Sequence, residues 1–344
     1  MPLFSLPSCS LQSARRGAKS AMISETLAGG DCLNTGCVPS KAIIRSARAV
    51  SEVKRAAEFG IVFKEGNGDF TVDFAAVMKR VRMMRAKIAP VDGHKVSEEA
   101  GTHVYQGRGR LTSPTTVEVN GITLQFKKCV LATGGRPAIP SNIEGLVKGE
   151  TPYTTSETLF NLEELPPRMV VLGGGVVALE MAQTFSLLGS NVSVINRSSR
   201  LFTSKHGDAE AATILQSSLE HDGVTFYHNT KISKVTTLRQ GSEGSSNKKR
   251  KRDDGTEEDD ESSTSYFPLM KLTLDNGGEL ECECFLIAAG RLANVEDLGL
   301  EEGNVEYEIG KGIKINDLVE SVSNPNVYAI GDCAAGVPRL THMR

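Results

Sequence analysis

The sequence lacks a strong charge of either sign, a long apolar run and a dense set of cysteines. The formal net charge is -3 over 344 residues, which argues against a nucleic-acid-binding protein or a protein of the membrane surface. No run approaches the ~20 apolar residues that a transmembrane helix needs. Seven cysteines in a chain of this length do not form the framework of a small secreted protein. We therefore expect an intracellular protein of a reducing compartment, large enough for two domains.

The first 24 residues contain no Asp or Glu but carry Arg15, Arg16 and Lys19. This composition is seen in transit peptides to a plastid or mitochondrion. Alternatively the segment belongs to the fold, because Gly17 has the pattern of a helix stop and residues 21–23 that of a short strand. The sequence leaves targeting to an organelle open.

Two of the seven cysteines, Cys32 and Cys37, lie in the glycine-rich stretch from Gly29 to Lys41. A disulfide between them would close a small ring and add little to folding, because loop-closure stabilisation grows with ring size. A bond that opens and closes in redox chemistry fits this ring better. The neighbouring glycines allow a tight turn and close approach to a flat ligand. Lys41 places a positive charge that favours a thiolate.

The cysteine spacing alone leaves two alternatives open. The cysteines could be unpaired residues at the start of a helix. A zinc site is the weaker alternative, because no second Cys/His pair follows at the spacing that zinc ligands need.

Residues 29–41, read as GGDCLNTGCVPSK, closely resemble the redox-active motif of the flavoprotein disulfide reductases. That family includes dihydrolipoamide dehydrogenase, glutathione reductase and mercuric reductase. The resemblance implies that Cys32 and Cys37 form a disulfide beside the flavin of FAD. It further implies that Cys32 exchanges with the substrate and that Cys37 contacts the flavin. The FAD-binding candidates in this stretch are Gly29, Gly30 and Lys41.

Two later segments also resemble FAD-binding parts of the family. Residues 132–137 resemble the segment that leaves the flavin domain beside the cofactor, and residues 326–332 resemble the second flavin signature, whose acid would bond the ribityl chain. Residues 288–291 resemble the exit from the nicotinamide domain. The candidates that these segments add are Thr133, Gly134, Arg136, Gly290, Arg291, Gly331 and Asp332.

A dinucleotide-binding turn follows an apolar strand at 169–172 and precedes a helix through Leu188. Gly173 would allow the tight turn, Gly175 would let the backbone approach a pyrophosphate, and Ala178 would allow close helix packing. The strand and the helix around the turn strengthen this G-x-G-x-x-A motif. By resemblance, Glu180 on the helix would form an ion pair with Lys41 beside the flavin.

The residue that ends the next strand is expected to read the ribose. An acid there would bond the 2'-hydroxyl of NAD, but this chain has Asn196, with Arg197 and Arg200 close behind. The turn contains no carboxylate that would repel a 2'-phosphate, and its two cations could attract one. The residues therefore favour NADP over NAD. Alternatively, the two arginines only face solvent.

Residues 239–265 interrupt the pattern with a basic block, 248–252, and an acidic block, 253–261. Such a segment cannot bury enough apolar surface to fold, so we predict a disordered loop between two strands. A nuclear-localisation signal or a nucleic-acid contact is the weaker alternative.

Periodicity predicts a helix from Val38 to about Phe59 and a long basic helix opening at Asp73. Residues 103–132 have the pattern of short antiparallel strands. Further strands are predicted over 269–274, 280–289 and 326–330, with a helix beginning at about Cys333. The segment around the basic helix most resembles the mercuric-reductase branch.

The predicted fold class is α/β, with a Rossmann-like FAD domain interrupted by a Rossmann-like NAD(P) domain. We expect the first part of the FAD domain over 1–150, the NAD(P) domain over 151–290 and the return to the FAD domain over 291–344. By resemblance we expect a chain truncated at both ends, because the family has a first strand with a glycine turn before the strand at 21–23 and an interface domain after the segment that ends at Arg344. The family is homodimeric, but the domain that forms its dimer contact is not in the chain.

The resemblance implies hydride transfer from NAD(P)H to FAD, opening of the Cys32–Cys37 disulfide and reduction of a disulfide or metal ion, as in mercuric reductase. A dihydrolipoamide-dehydrogenase-like enzyme is the first alternative. An incomplete copy that holds nucleotide without catalysis is the second.

Overall fold

The computed structural model describes residues 5–62, 70–202, 208–241 and 266–337. The predicted loop at 239–265 lies outside the described residues from 242 onward. The α-helices are α1 Ser5–Arg15, α2 Gly30–Asn34, α3 Cys37–Lys54, α4 Phe74–Asp92, α5 His94–Glu99, α6 Val176–Leu188 and α7 Ala209–His221. Short 3₁₀ turns cover Ala56–Phe59, Leu159–Asn161 and Gly331–Cys333. Across the described ranges, no helix has the length and apolar character needed to cross a membrane.

The strands are mostly short. They are β1 Ser20–Ser24, β2 Thr102–Gln106, β3 Arg110–Ser113, β4 Thr116–Val119, β5 Ile122–Gln125, β6 Cys129–Leu131, β7 Gly135–Pro137, β8 Arg168–Leu172, β9 Asn191–Ile195, β10 Val224–Tyr227, β11 Ile232–Arg239, β12 Leu269–Leu274, β13 Glu279–Cys282, β14 Cys284–Ile287, β15 Arg291–Ala293, β16 Tyr307–Glu308, β17 Gly312–Ile313 and β18 Val327–Ala329.

The chain divides into two compact units. Unit 1 comprises Met1–Ile43, Ala76–Ala138 and Gly290–Arg344, and unit 2 comprises Ile44–Ala75 and Ile139–Ala289. The return at Gly290 lies beside the predicted one at 291. The forward boundary differs from the prediction, because it falls at 138/139 rather than 150/151 and because residues 44–75 group with unit 2.

Packing explains the earlier boundary. Ile143 is buried in the core of unit 2, and Ile139, Leu146 and Tyr153 pack against the same cluster. The segment around Ile143 therefore contributes to that core. Phe74, the first residue of α4, groups with unit 2 for the same reason, since its ring lies 6.0 Å from that of Phe185.

Unit 1 is built from small sheets. β1 pairs parallel with β2, and β6 pairs parallel with β18. β3, β4 and β5 form an antiparallel meander, and β7 and β15 form an antiparallel pair. The prediction of antiparallel strands over 103–132 is therefore right for the meander and wrong for β2 and β6. Their partners lie far away in sequence, where alternation of apolar residues gives no information on strand direction.

Unit 2 contains a four-stranded parallel sheet in the order β10-β9-β8-β14 and a meander in the order β11-β12-β13. The predicted strand over 280–289 is two strands in different sheets. Glu283 separates them, and its carboxylate accepts bonds from the backbone N–H of Arg168 at 3.0 Å and from the guanidinium at 2.6 Å. Gly189 ends α6 in the left-handed conformation, with φ 120°, as predicted.

Candidate functional site

The short helix α2 and the start of the long helix α3 bring the cysteines of the motif together in unit 1. α2 ends at Asn34, whose side-chain amide donates to the carbonyls of Ala28 at 3.0 Å and Gly30 at 2.9 Å. α3 then begins at Cys37. A Cβ on Gly36 would lie 2.9 Å from the carbonyl oxygen of Asp31, closer than Cβ atoms pack. Only glycine fits this turn, so the motif encodes the approach of the two helices.

The side chains of Cys32 and Cys37 form a hydrogen bond as free thiols. That bond, burial and the charge of Cys37 together raise the pKa of Cys32 well above its usual value. Lys41 is not among the causes of this shift, so its predicted effect on the thiols stays a prediction. Cys37, in contrast, opens a long helix, whose positive end stabilises negative charge. The reduced pair therefore holds a proton at Cys32 while the helix favours charge at Cys37.

Asp92 is a residue that sequence reasoning missed near this pair. It ends α4, is 8% exposed, and its charge contributes to the raised pKa of Cys32. Burial raises the pKa of Asp92 itself. Within the described residues its Oδ2 atom has no hydrogen-bond partner. No motif marks this position, because an acid at the end of a helix is common.

Lys41 and Glu180 lie on α3 in unit 1 and on α6 in unit 2. Lys41 is exposed and Glu180 is half-buried. Their ion pair stays a prediction.

Arg291 connects three segments of unit 1. Its Nε donates to Oδ2 of Asp332 at 2.8 Å, and its Nη2 donates to Oδ2 of Asp31 and to the carbonyl of Gly135, each at 2.5 Å. Asp31 directly precedes Cys32. Arg291 therefore links the redox turn to the strand end that carries Asp332, a structural role that the motif did not reveal.

Replacing Arg291 by methionine is expected to lower the free energy of unfolding by about 3 kcal/mol, because the carboxylate of Asp332, only 10% exposed, loses its guanidinium partner. Urea unfolding measures this loss. The double variant with Asp332→Asn should recover part of it. Asp31→Asn, at the exposed end of the network, serves as the control, with a loss below about 0.5 kcal/mol. An Arg291→Met protein as stable as wild type would contradict this role.

Thr133 and Gly134 lie between β6 and β7. The hydroxyl of Thr133 donates to the carbonyl of Asn294 at 2.7 Å, and the amide of Asn294 donates back to the carbonyl of Thr133 at 3.0 Å. Arg136 bonds the carboxylate of Glu296 through both terminal nitrogens, at 2.6 and 2.9 Å. The guanidinium of Arg136 thus serves a contact inside unit 1, and contact of these three residues with FAD stays a prediction.

The bond from Arg136 lowers the pKa of Glu296 to about 2. An unfolded glutamate titrates near pH ~4.3, so the pair stabilises the fold above that pH, and the contribution is lost as the pH falls towards 2. Urea unfolding of Glu296→Gln should therefore show a flatter loss of stability between these values. The difference should stay under about 1 kcal/mol, because both side chains are more than a third exposed. Glu118→Gln, an exposed glutamate on β4, should leave the wild-type slope unchanged, and an equal slope in Glu296→Gln would refute the assignment.

The glycine turn of unit 2 has the geometry that a dinucleotide needs. Gly173 has φ 131°, and an added Cβ would overlap the carbonyl of Ala288. Gly175 caps α6, and an added Cβ there would meet open space. Ala178 is fully buried against the sheet. The turn therefore leaves room at the N-terminus of a helix, where phosphate groups bind.

Asn196 directly follows β9 but points inward. It is 6% exposed, and its amide bonds the carbonyl of Arg200 at 3.0 Å and the ring of His228 at 3.1 Å. Arg197 is exposed and Arg200 is half-buried. The cations therefore lie at the surface of this turn, whereas the amide lies beneath it. Reading of the ribose by these residues stays a prediction.

Comparison with known proteins identifies the family. The model of the pyridine nucleotide-disulphide oxidoreductases matches residues 8–343. The chain belongs to this family. Such oxidoreductases are FAD-dependent, take NAD(P)H as the electron donor, and are typically homodimers that act on small molecules.

Relatives in this oxidoreductase family include two enzymes of different activity. Dihydrolipoyl dehydrogenase of Chlamydia muridarum is 31% identical over 97% of the chain, and mercuric reductase of Lysinibacillus sphaericus is 29% identical over 96%. The chain spans 64% and 54% of their lengths. A Cu(II) complex of the HOCl-induced flavoprotein disulfide reductase RclA from Escherichia coli matches with a TM-score of 0.76 at 20% identity, over 98% of the chain and 65% of that protein. The α/β flavoprotein disulfide reductase fold is thereby confirmed.

The residues of unit 1 fit FAD at its flavin and ribityl end. Gly30 and Gly134 have positive φ, and an added Cβ at either would meet open space, so a flat group can approach the backbone there. Asp332 lies buried in the 3₁₀ turn that follows β18, and its carboxylate could accept bonds from hydroxyl groups. Gly331, with φ 71°, turns the chain at that point, and Gly290, with φ 129°, borders open space as well. Cofactor contacts at Gly29, Gly290 and Gly331 stay predictions.

Proposed function

We propose that the protein passes electrons from NADPH to a Cys32–Cys37 disulfide and on to a small disulfide or metal-ion acceptor. The observation that supports this most strongly is the hydrogen bond between the two thiols in a turn that only glycine allows. Two thiols in hydrogen-bond contact need only a small movement of their side chains to form and break a disulfide. FAD, when bound, supplies the carrier between nicotinamide and sulfur.

Cys32 and Cys37 have different roles in the proposed reaction. Cys37, at the start of α3, is the thiol whose charge the helix stabilises. Cys32 keeps a proton in the reduced pair, so it reaches the acceptor as a thiol and must lose that proton to attack. Attack by Cys32 on a disulfide acceptor forms a mixed disulfide and releases one sulfur of the acceptor as a thiolate, which takes up the proton that Cys32 has lost. Cys37 then attacks Cys32, which releases the second thiolate and restores the Cys32–Cys37 bond.

NADPH is proposed over NADH because two cations and no carboxylate follow β9. Asn196 has no carboxylate to bond the 2'-hydroxyl of NAD, and Arg197 presents an exposed positive charge beside the turn. A dihydrolipoamide-dehydrogenase-like enzyme that reduces NAD is the second candidate, and the similarity to the Chlamydia enzyme supports it. A non-catalytic nucleotide-binding protein is the third. We also propose a homodimer in a reducing intracellular compartment, in keeping with seven free cysteines.

The experiment is a comparison of donors and acceptors with the FAD-loaded protein. Rates of NADPH and NADH oxidation are measured with Hg²⁺, with lipoamide and with a small aromatic disulfide. The proposal expects faster oxidation of NADPH with at least one acceptor. Faster reduction of NAD by dihydrolipoamide would favour the second candidate. Binding of nucleotide without turnover of any acceptor would favour the third.

A further inference from the structure

A directional chain of hydrogen bonds lies beneath the turn that carries Arg197 and Arg200. Its first member is Asn196. The backbone N–H of Ser198 donates to Oδ1 of Asn196 at 3.3 Å, and Nδ2 donates to the carbonyl of Arg200 at 3.0 Å. A backbone N–H can only donate and a carbonyl can only accept, so these two contacts fix which end of the amide is the nitrogen.

The second N–H of Asn196 faces His228. Nδ2 of Asn196 lies 3.1 Å from Nδ1 of His228, so that ring nitrogen must accept. The ring proton is then on Nε2, which lies 3.0 Å from Oε1 of Gln216 on α7. The geometry therefore selects a neutral imidazole with its proton on Nε2.

The far end of the chain gives the same direction independently. Nε2 of Gln216 donates to Oε1 of Glu220 at 2.8 Å, and an ionised carboxylate only accepts. The amide of Gln216 must therefore turn its oxygen towards His228. The four side chains therefore have one consistent set of donors and acceptors, from the carboxylate of Glu220 at one end to the backbone carbonyl of Arg200 at the other.

His228 is also held by packing, and the turn above it is constrained. Its ring stacks on Phe226 with centroids 5.6 Å apart and planes 3° apart. Phe202 has φ 49°, a left-handed conformation that a non-glycine residue rarely adopts. A Cβ on Gly174 would lie 3.0 Å from the side-chain amide of Asn196. The same amide therefore touches the glycine turn and holds the arginine turn.

We propose that His228 is a positioning residue for the 2'-phosphate of NADPH, acting through Asn196 on the turn that carries Arg197 and Arg200. This inference rests on the proposed preference for NADPH. Every N–H of the Asn196 amide is used inside unit 2, so that side chain fixes the turn and leaves recognition to the arginines. The 2'-phosphate is the group that distinguishes the two dinucleotides, so a displaced turn weakens NADPH binding more than NADH binding.

The test replaces His228 by phenylalanine, which keeps the stack on Phe226 and removes both ring nitrogens. Dissociation constants of NADPH and NADH are measured by calorimetric titration of the full-length protein. We expect the constant for NADPH to rise about tenfold, which matches the loss of one hydrogen bond, and that for NADH to change less than about twofold. Gln216→Leu, which breaks the chain farther from the nucleotide, should act in the same direction. His221→Gln, an exposed histidine on α7 outside the chain, is the matched control and should change neither constant.

A second measurement keeps the proposal testable if His228→Phe does not fold. The ¹⁵N spectrum of the wild-type protein at neutral pH should show an unprotonated Nδ1 and a protonated Nε2 for His228. A proton on Nδ1, or an unchanged ratio of the two constants in Gln216→Leu, would overturn the inference while the proposed function stands. A wild-type protein that binds NADH as tightly as NADPH would overturn the proposed preference and, with it, this role of His228.

Discussion

Replacing either Cys32 or Cys37 by serine is expected to lower the rate of NADPH-dependent acceptor reduction by at least ~1000-fold, about 4 kcal/mol in the barrier. Each thiol has a step that the other cannot perform, since one attacks the acceptor and the other closes the disulfide. The rate of NADPH oxidation with a small aromatic disulfide measures the loss.

The matched control for the cysteine variants is Cys9→Ser. Cys9 is exposed on α1 in the same unit, so its loss changes the thiol count but should leave the rate unchanged. A Cys32→Ser protein that keeps more than a tenth of the wild-type rate would contradict the assignment. Because Asp92 contributes to the raised pKa of Cys32, Asp92→Asn is a useful companion variant and should make the Cys32 thiol easier to deprotonate.

Substitutions of two glycines in the dinucleotide-binding turn should have different effects, one on stability and the other on NADPH binding. Gly173→Ala should lower the free energy of unfolding by about 3 kcal/mol, because the residue has φ 131° and the added Cβ overlaps the carbonyl of Ala288. Gly175→Ala should leave stability within about 0.5 kcal/mol, because φ is -89° and the added Cβ meets open space. The new methyl group would instead obstruct the approach of the pyrophosphate and raise the dissociation constant of NADPH about 100-fold.

Gly277→Ala separates backbone strain from overlap in this comparison. Gly277 has φ 83° in the turn between β12 and β13, with open space around an added Cβ, so only strain of about 1 kcal/mol is expected. Urea unfolding and calorimetric titration of NADPH measure the two effects. A Gly173→Ala protein as stable as Gly277→Ala, or unimpaired NADPH binding by Gly175→Ala, would contradict the geometry of this turn.

The motifs predicted local geometry well. The glycines around Cys32 and Cys37 imply the tight turn that brings the thiols into contact, and the glycine turn of unit 2 has its strand and helix where the sequence placed them. Both features depend on residues that are close in sequence. Steric limits on φ and on Cβ contacts are local, so a sequence motif can encode them.

The sequence could not predict contacts between distant residues. Three such contacts join segments that are far apart along the chain. They are the parallel pairing of β2 and β6 with their partners, the bonds of Arg291 to Asp31 and Asp332, and the hydrogen bond between Asn196 and His228. A lone histidine after a short strand gives no sign of its partner. The raised pKa of Cys32 was missed for another reason, since it depends on the bond to Cys37 and on burial, and the motif specifies neither.

The central claim is that electrons from NADPH reach the pair of Cys32 and Cys37. The most direct measurement is anaerobic titration of the oxidised, FAD-loaded protein with NADPH, followed by thiol labelling and peptide mapping. The proposed function predicts two new thiols per chain, at Cys32 and Cys37, as one equivalent of NADPH is consumed. Oxidation of NADPH without new thiols, or new thiols only at other cysteines, would contradict it.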